Sequence, residues 1–347
     1  MTFRYIGSKA RIVAEIVEQL GPPKSANDRF VDMFCGTGAV TLAAAKAGWT
    51  VHLNDHLHCA VVMARARLLG TDDVSFAATG GYLATIEQLN GLAGEPGFLF
   101  RAYSPASIME IGFERRYFTR ENAGRIDAMR RQIGAWSAAG MLSGCEEHLL
   151  IADLISAANR VANIAGTYGC FLSKWQKQAL GSVSLKPREL SPGRFRTTFS
   201  VLEASNVKTS SNDVVYLDPP YTKRQYAAYY HILETISLGD APDVSGVAGI
   251  RPWQEKASDF CYKARAMGAF TRIIEGLAAE RVLISYSDSA HVPIETLTQR
   301  LGVLGAAKSS LLTTIGRYRP NRTASGGRPT VNEYLIELER SELRAVA

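Results

Sequence analysis

RFVDMFCGTGAVTLAAAKAGWTVHLN, residues 29–54, decides the fold. Arg29–Phe34 reads as a strand, Gly36-Thr37-Gly38 as a tight turn, and Ala39–Lys46 as a helix of strong helix formers. Thr50–Asn54 is the next short strand. Strand, glycine turn, helix and strand in that order open a parallel α/β sheet.

The turn also reads as a ligand site. Two glycines let the backbone approach a ligand, and the helix start behind them offers amide N–H groups. The spacing is G-x-G, without the third glycine of a dinucleotide fingerprint. Asp32, just before the turn, would repel a pyrophosphate but suits the ammonium of an amino-acid moiety. Asp55 ends the next strand, where a carboxylate can accept both hydroxyls of a ribose. The plainer reading is a generic α/β turn without a ligand.

Beyond the second strand the pattern changes. From about Leu69 to Ala157 it is mostly helical, with helices expected over Arg115–Ile133 and Glu146–Arg160. Residues 161–200, rich in glycine, basic and aromatic residues, read as hairpin or loop. Sheet pattern returns at Asp213–Leu217, Arg281–Tyr286, Ser309–Ile315 and Val331–Leu338. The last two, joined by a turn-rich loop, fit an antiparallel hairpin at the sheet edge. The expected organisation is therefore a catalytic domain in two parts, 1–68 and 201–347, with a mainly helical insertion at 69–200.

VVYLDPPY, residues 214–221, carries the chemistry. An apolar strand delivers Asp218, Pro219, Pro220 and Tyr221 to its C-terminal end, where open α/β sheets place their sites. The prolines stiffen the loop and leave the Pro219 carbonyl free to accept. An amino group entering it can donate one hydrogen to Asp218 and the other to that carbonyl. Both bonds draw the nitrogen out of conjugation with its ring and turn its lone pair toward an electrophile. Tyr221 offers a flat face for the ring. An ordinary strand-to-loop turn with a Pro-Pro stop is the bland alternative.

At these residues the sequence resembles the α-group of N6-adenine DNA methyltransferases, the Dam-like class. Its opening aromatic-x-G-x-K segment is matched within FRYIGSK, residues 3–9, followed by the cofactor turn, a recognition insertion and D-P-P-Y. DPPYTKRQYAAYYHILETI (218–236), RVLISYSD and the terminal RYRPN…NEYLIEL look like the family's later segments. The resemblance covers both ends of the catalytic domain, about half the chain. It implies a Rossmann-like methyltransferase sheet, mostly parallel with an antiparallel C-terminal hairpin, and S-adenosylmethionine as cofactor without a metal. Tyr5, Gly7 and Lys9 would close over the cofactor; Asp32, Phe34, Cys35, Gly36 and Gly38 would line its methionine end; Asp55 would hold its ribose. Asp218, Pro219, Pro220 and Tyr221 would hold a target adenine flipped from double-stranded DNA, with Asp218 also bordering the cofactor. An acidic residue that the family often places before the catalytic strand has Glu203 and Asn206 as candidates.

Three basic segments are candidate DNA contacts. The first holds Lys174, Lys177, Lys186, Arg188, Arg194 and Arg196, interleaved with Phe171, Trp175 and Phe195. Lys223, Arg224, Gln225 and Tyr226 follow the catalytic loop, and Arg317, Arg319, Arg322 and Arg328 surround the last loop. Such contacts supply affinity rather than sequence choice. A solvated face is the alternative for each.

Composition is compatible with this reading. The net charge of +6 suits a polyanionic partner, though weakly, and 46% apolar residues allow a sizeable core. No stretch approaches the roughly 18 apolar residues of a membrane span, and the N-terminus lacks a secretory apolar region, so a cytoplasmic protein is expected. Five cysteines without a C-x-x-C pair argue against a disulfide framework or a cysteine zinc site. His52, His56 and His58 have metal-like spacing, but local packing at the strand end explains them better. Arg130-Arg131 reads as a solvated helix face, and Cys35 as a small filler rather than a nucleophile. The rival functions are methylation of cytosine N4, an RNA adenine or a protein glutamine, and a non-catalytic DNA-binding relic. Whether the protein is a monomer or a homodimer stays open.

Overall fold

A computed structural model describes residue 9, residues 11–316 and residues 330–340. They divide into two compact units. One is a sheet unit drawn from residues 7–56, 195–225 and 256–347; the other is a helical unit containing Leu57–Arg194 and Tyr226–Glu255.

The sheet unit is built on seven strands: β1 (Arg29–Asp32), β2 (Thr50–Asn54), β3 (Thr197–Ser200), β4 (Asp213–Leu217), β5 (Arg281–Ser287), β6 (Gly305–Gly316) and β7 (Thr330–Arg340). Their order is β3-β2-β1-β4-β5-β7-β6. The first five run parallel, and β7 pairs antiparallel with both β5 and β6, as the expected C-terminal hairpin requires. The chain leaves β1 toward β2 on one side and reaches β4 on the other, so the order reverses at β1/β4. A crevice outside the carboxyl ends of the strands is favoured there.

Local sequence explains the central elements. β4 is buried at all five positions, as a strand covered on both faces requires. Its register with β1 is pinned by charge: Arg29 Nε and Nη2 donate to the buried Asp213 carboxylate at 2.9 and 2.6 Å, and the two residues are partners in the ladder. The helix Ala39–Lys46 starts because Gly36 and Gly38 take positive φ (50° and 74°), which turns the chain sharply out of β1. Val31, Met33, Val215, Leu217, Val282 and Ile284 share a core with Phe270, Ile273 and Leu297 from helices Ala266–Glu275 and Ile294–Leu301.

The helical unit has its own core. Helix Gly144–Val161 is started by a capping box, Ser143 with Glu146, close to the expected boundary. The helix expected over 115–133 instead spans Arg120–Ala138, because the Thr119 side chain accepts from Asn122 N–H and sets the start. Arg115 is buried ahead of it, donating to the carbonyls of Ala102, Gly246 and Val247.

Two further outcomes concern 161–200 and 226–255. Of the hairpin or loop expected over 161–200 the loop is found, and the strand that ends it, β3, joins β2 in parallel. Much of the preceding backbone is held by buried or half-buried asparagines. Asn163 serves Arg116, Leu172 and Gln176; Asn122 serves Gly181 and Val183; Asn90 serves both backbone groups of Leu185. Side chains here do what a partner strand would do. Tyr226–Glu255, assigned by sequence order to the C-terminal catalytic part, packs with the helical unit, burying Ile232, Leu233 and Ile236 in its core. Among the described residues no helix is long and apolar enough to cross a membrane.

Asn54, fully buried at the end of β2, ties three strands together beside the glycine turn. Its amide donates to the carbonyls of Met33 (3.1 Å) and Leu202 (3.0 Å), and its oxygen accepts from Ser200 Oγ (2.7 Å) and Leu202 N (3.1 Å). Asn54→Ala leaves buried partners unsatisfied and should cost about 3 kcal/mol. A thermal melt should then show a fall of roughly 5–10 °C.

Candidate active site

Adjacent parallel strands carry three carboxylates to one end of the sheet: Asp32 at the end of β1, Asp55 just after β2, and Asp218 just after β4. Asp32 is buried and accepts from Thr41 Oγ1 (2.6 Å) and Phe34 N (3.3 Å). Burial pushes its carboxyl up to about 7, with Asp218 and Asp55 adding repulsion. Asp55 accepts from Gly36 N at 3.1 Å, so the acid expected at a ribose also fixes the turn. Gly38 N donates to Cys35 O at 2.7 Å. Cys35 is buried, and Phe34 is half-buried with its ring edge on Phe260.

Asp218 is 15% exposed and lies 3.3 Å from Lys9 Nζ. Burial raises its carboxyl to about 6; Lys9 pulls it down and Glu333 pushes it up. Lys9 also donates to Tyr221 Oη at 2.9 Å and to Glu333 Oε2 at 3.1 Å, and its ammonium sits 5.1 Å from the Tyr221 ring centre. Burial alone would lower the Lys9 ammonium, but Asp218, Tyr221 and Glu333 together hold it well above its ordinary value. The Tyr221 ring packs on Tyr286 at 5.6 Å. Behind the loop, the buried Cys261 thiol donates to the Arg224 carbonyl at 3.3 Å, and Gln225 exchanges two hydrogen bonds with the backbone of Ser258. Gln225, grouped with the basic residues by sequence, is therefore turned inward.

Lys9, Asp32, Phe34, Cys35, Gly36, Gly38, Asp55, Asp218, Pro219, Pro220 and Tyr221 all belong to the sheet unit. Tyr5, Gly7, Arg317, Arg319, Arg322 and Arg328 lie outside the described residues. Of the basic candidates, Lys174, Lys177, Lys186, Arg196, Lys223 and Arg224 are exposed. Arg188 is engaged by the buried Asp153 (2.7 Å), and Arg194 by Asp73 (2.7 Å). Tyr226 is half-buried against Tyr230 in the helical unit. Glu203 is ion-paired with His56, while Asn206 is exposed on the same connection. His52 bonds Thr198 and Ser200, and His58 bonds Ser237, so the three histidines have separate partners. Among the described residues no group of three potential ligands could hold a metal ion. Arg130, read from sequence as solvated, donates instead to the carbonyls of Ile236 and Ser237.

Glu333 was not singled out from sequence. A signal was present: it alternates with Val331 and Leu335 on the buried face of β7, where a carboxylate is out of place without a partner.

The model of D12 class N6 adenine-specific DNA methyltransferases matches residues 5–297. The chain belongs to this family. Similar curated proteins include type II methyltransferase M.FokI of Planomicrobium okeanokoites, 34% identical over 82% of this chain and 44% of the relative. Modification methylase StsI of Streptococcus sanguinis is 30% identical over 86% of this chain and 46% of the relative. The chain thus spans about half the length of these two relatives. Type II methyltransferase M.NlaIII of Neisseria lactamica is 30% identical over 97% of this chain and 99% of its own length. Family membership accords with the glycine turn, the D-P-P-Y loop and the sheet order.

The charge cluster has a direct spectroscopic consequence. In a carbon-detected NMR titration the Asp218 carboxyl should ionise near pH 6 and Asp32 near pH 7. Lys9→Met should move Asp218 upward, because Lys9 favours its charged form. Glu333→Gln should move it downward, because Glu333 opposes that form.

Proposed function

We propose that the chain transfers a methyl group from S-adenosylmethionine to N6 of an adenine flipped out of double-stranded DNA, acting in the cytoplasm. The observation that carries this reading is the Asp218-Pro219-Pro220-Tyr221 loop. It leaves the buried β4 on the strand next to Asp32, with Lys9 bonded to both Asp218 and Tyr221.

The residues fit the cofactor. Asp32, Asp55 and Asp218 place negative charge at one sheet end; burial raises Asp32 and Asp218, Asp218 and Asp55 add to the rise of Asp32, and a cationic ligand would favour the charged forms. Asp32, Phe34, Cys35, Gly36 and Gly38 would face the methionine end, Asp55 the ribose, and Glu203 or Asn206 the adenosine ring. When bound, S-adenosylmethionine supplies an electrophilic methyl group.

The remaining chemistry belongs to the protein. The target amino group donates to the Asp218 carboxylate and the Pro219 carbonyl, and its ring stacks on Tyr221. The nitrogen lone pair is thereby freed to form the new bond, so catalysis is mainly positioning and electrostatics. Asp218, ionising near pH 6, can also take the proton that the nitrogen must lose. The exposed Lys174, Lys186, Lys223 and Arg224 would contact phosphates. Arg188 would do so only beyond its pairing with Asp153, and Tyr226 with the half of its surface left open. Methylation of cytosine N4, RNA or protein is the less favoured reading, because the family is adenine-specific for DNA.

Long-read modification sequencing of DNA from a methylation-free host expressing the chain should show modified adenine in one short motif; modified cytosine alone would overturn the reading. Asp218→Ala should lower methylation at least about 1000-fold while calorimetry shows cofactor binding largely kept. Asp55→Ala should mainly weaken cofactor binding, by about 10–100-fold. Lys223→Ala should weaken DNA binding uniformly across sequences and reduce the slope of log affinity against log salt by about 1.

A further inference from the structure

We infer that Glu333 is a positioning residue: it holds the Lys9 ammonium so that Asp218 can pass from the lysine to the target amino group. This rests on the amino-methyltransferase reading above.

An ammonium has three hydrogens, and Lys9 has three acceptors: Tyr221 Oη at 2.9 Å, Glu333 Oε2 at 3.1 Å and Asp218 Oδ1 at 3.3 Å. The Asp218 contact is the longest. Asp218 and Tyr221 are the groups that grip the target ring, and both are already engaged by the lysine. A base entering the loop therefore competes with Lys9 for the Asp218 carboxylate.

The lysine cannot be displaced into water cheaply. Its side chain is 7% exposed, and a buried cation without a counter-charge is strongly disfavoured. Glu333 supplies that counter-charge from a fixed place. It stands on β7 opposite Ser287 of β5, and its side chain is 8% exposed. While the ammonium leans on Glu333, it holds Asp218 less tightly, and the Asp218 oxygen stays available to the amino group. With a neutral side chain at 333, the lysine's charge falls wholly on Asp218, and the base must break a full salt bridge to enter. The alternative role is structural, with Glu333 merely tying the Lys9 segment to β7.

The test uses the full-length chain and a duplex carrying the motif found by modification sequencing. Glu333→Gln and Glu333→Asp are compared by turnover per cofactor-binding site, by calorimetry with S-adenosylmethionine, and by fluorescence of 2-aminopurine at the target adenine without cofactor. Glu333→Gln should lower turnover about 10-fold or more and reduce the 2-aminopurine signal at saturating protein, with cofactor affinity changed less than about 3-fold. Glu333→Asp should recover most of both losses. In a Lys9→Met background, Glu333→Gln should add less than about a 2-fold further loss, because its effect runs through the lysine. A lower melting temperature with unchanged turnover per site overturns the inference, as does a loss that persists in full in the Lys9→Met background. If the wild-type chain methylates no adenine, the underlying reading fails. If it does, and Glu333→Gln matches it, only the role of Glu333 fails.

Discussion

The ion pairing of one buried lysine with two carboxylates organises the end of the sheet that carries the D-P-P-Y loop. Lys9 lies within 3.3 Å of Asp218 and 3.1 Å of Glu333, which reach it from β4 and β7. These strands are not neighbours: β5 lies between them. The lysine therefore spans the parallel and antiparallel parts of the sheet. Buried ion pairs of this kind seldom add much net stability, but breaking one strands a charge. That asymmetry favours a geometry in which all three groups stay together.

The fold makes this cluster possible by reversing strand order at β1/β4. Parallel strands end on the same side, so residues far apart in sequence, Asp32, Asp55 and Asp218, meet without any local motif joining them. Burial raises the carboxyls of Asp32 and Asp218, with repulsion from Asp218 and Asp55 adding to the first and from Glu333 to the second. The same crowding that opposes burying more negative charge suits a cationic ligand.

Support for the D-P-P-Y loop comes from residues around it. Cys261 bonds the backbone just beyond it, Gln225 anchors that segment to the backbone of Ser258, and Tyr286 packs against the Tyr221 ring. Asn54 joins the ends of β1 and β2 to the segment after β3. Short polar contacts of this kind hold reacting groups more precisely than apolar packing alone, because each has a preferred direction.

Where local pattern and tertiary role coincide, the sequence was sufficient. The strand Thr50–Asn54, the helix Ala39–Lys46 and the strand Asp213–Leu217 stand at their expected limits, since glycine punctuation and apolar runs are local signals. The acids at strand ends and the D-P-P-Y loop were legible for the same reason. Tertiary structure alone decided the rest. Thr119 capping moved one helix start, asparagine side chains hold 161–200 as a loop rather than a hairpin, and 226–255 joined the helical core. Glu333 acquired its partner only through the β5–β7 pairing. These outcomes depend on which groups meet across long sequence separations. A linear pattern records what a residue can offer, and the folded chain fixes what it touches.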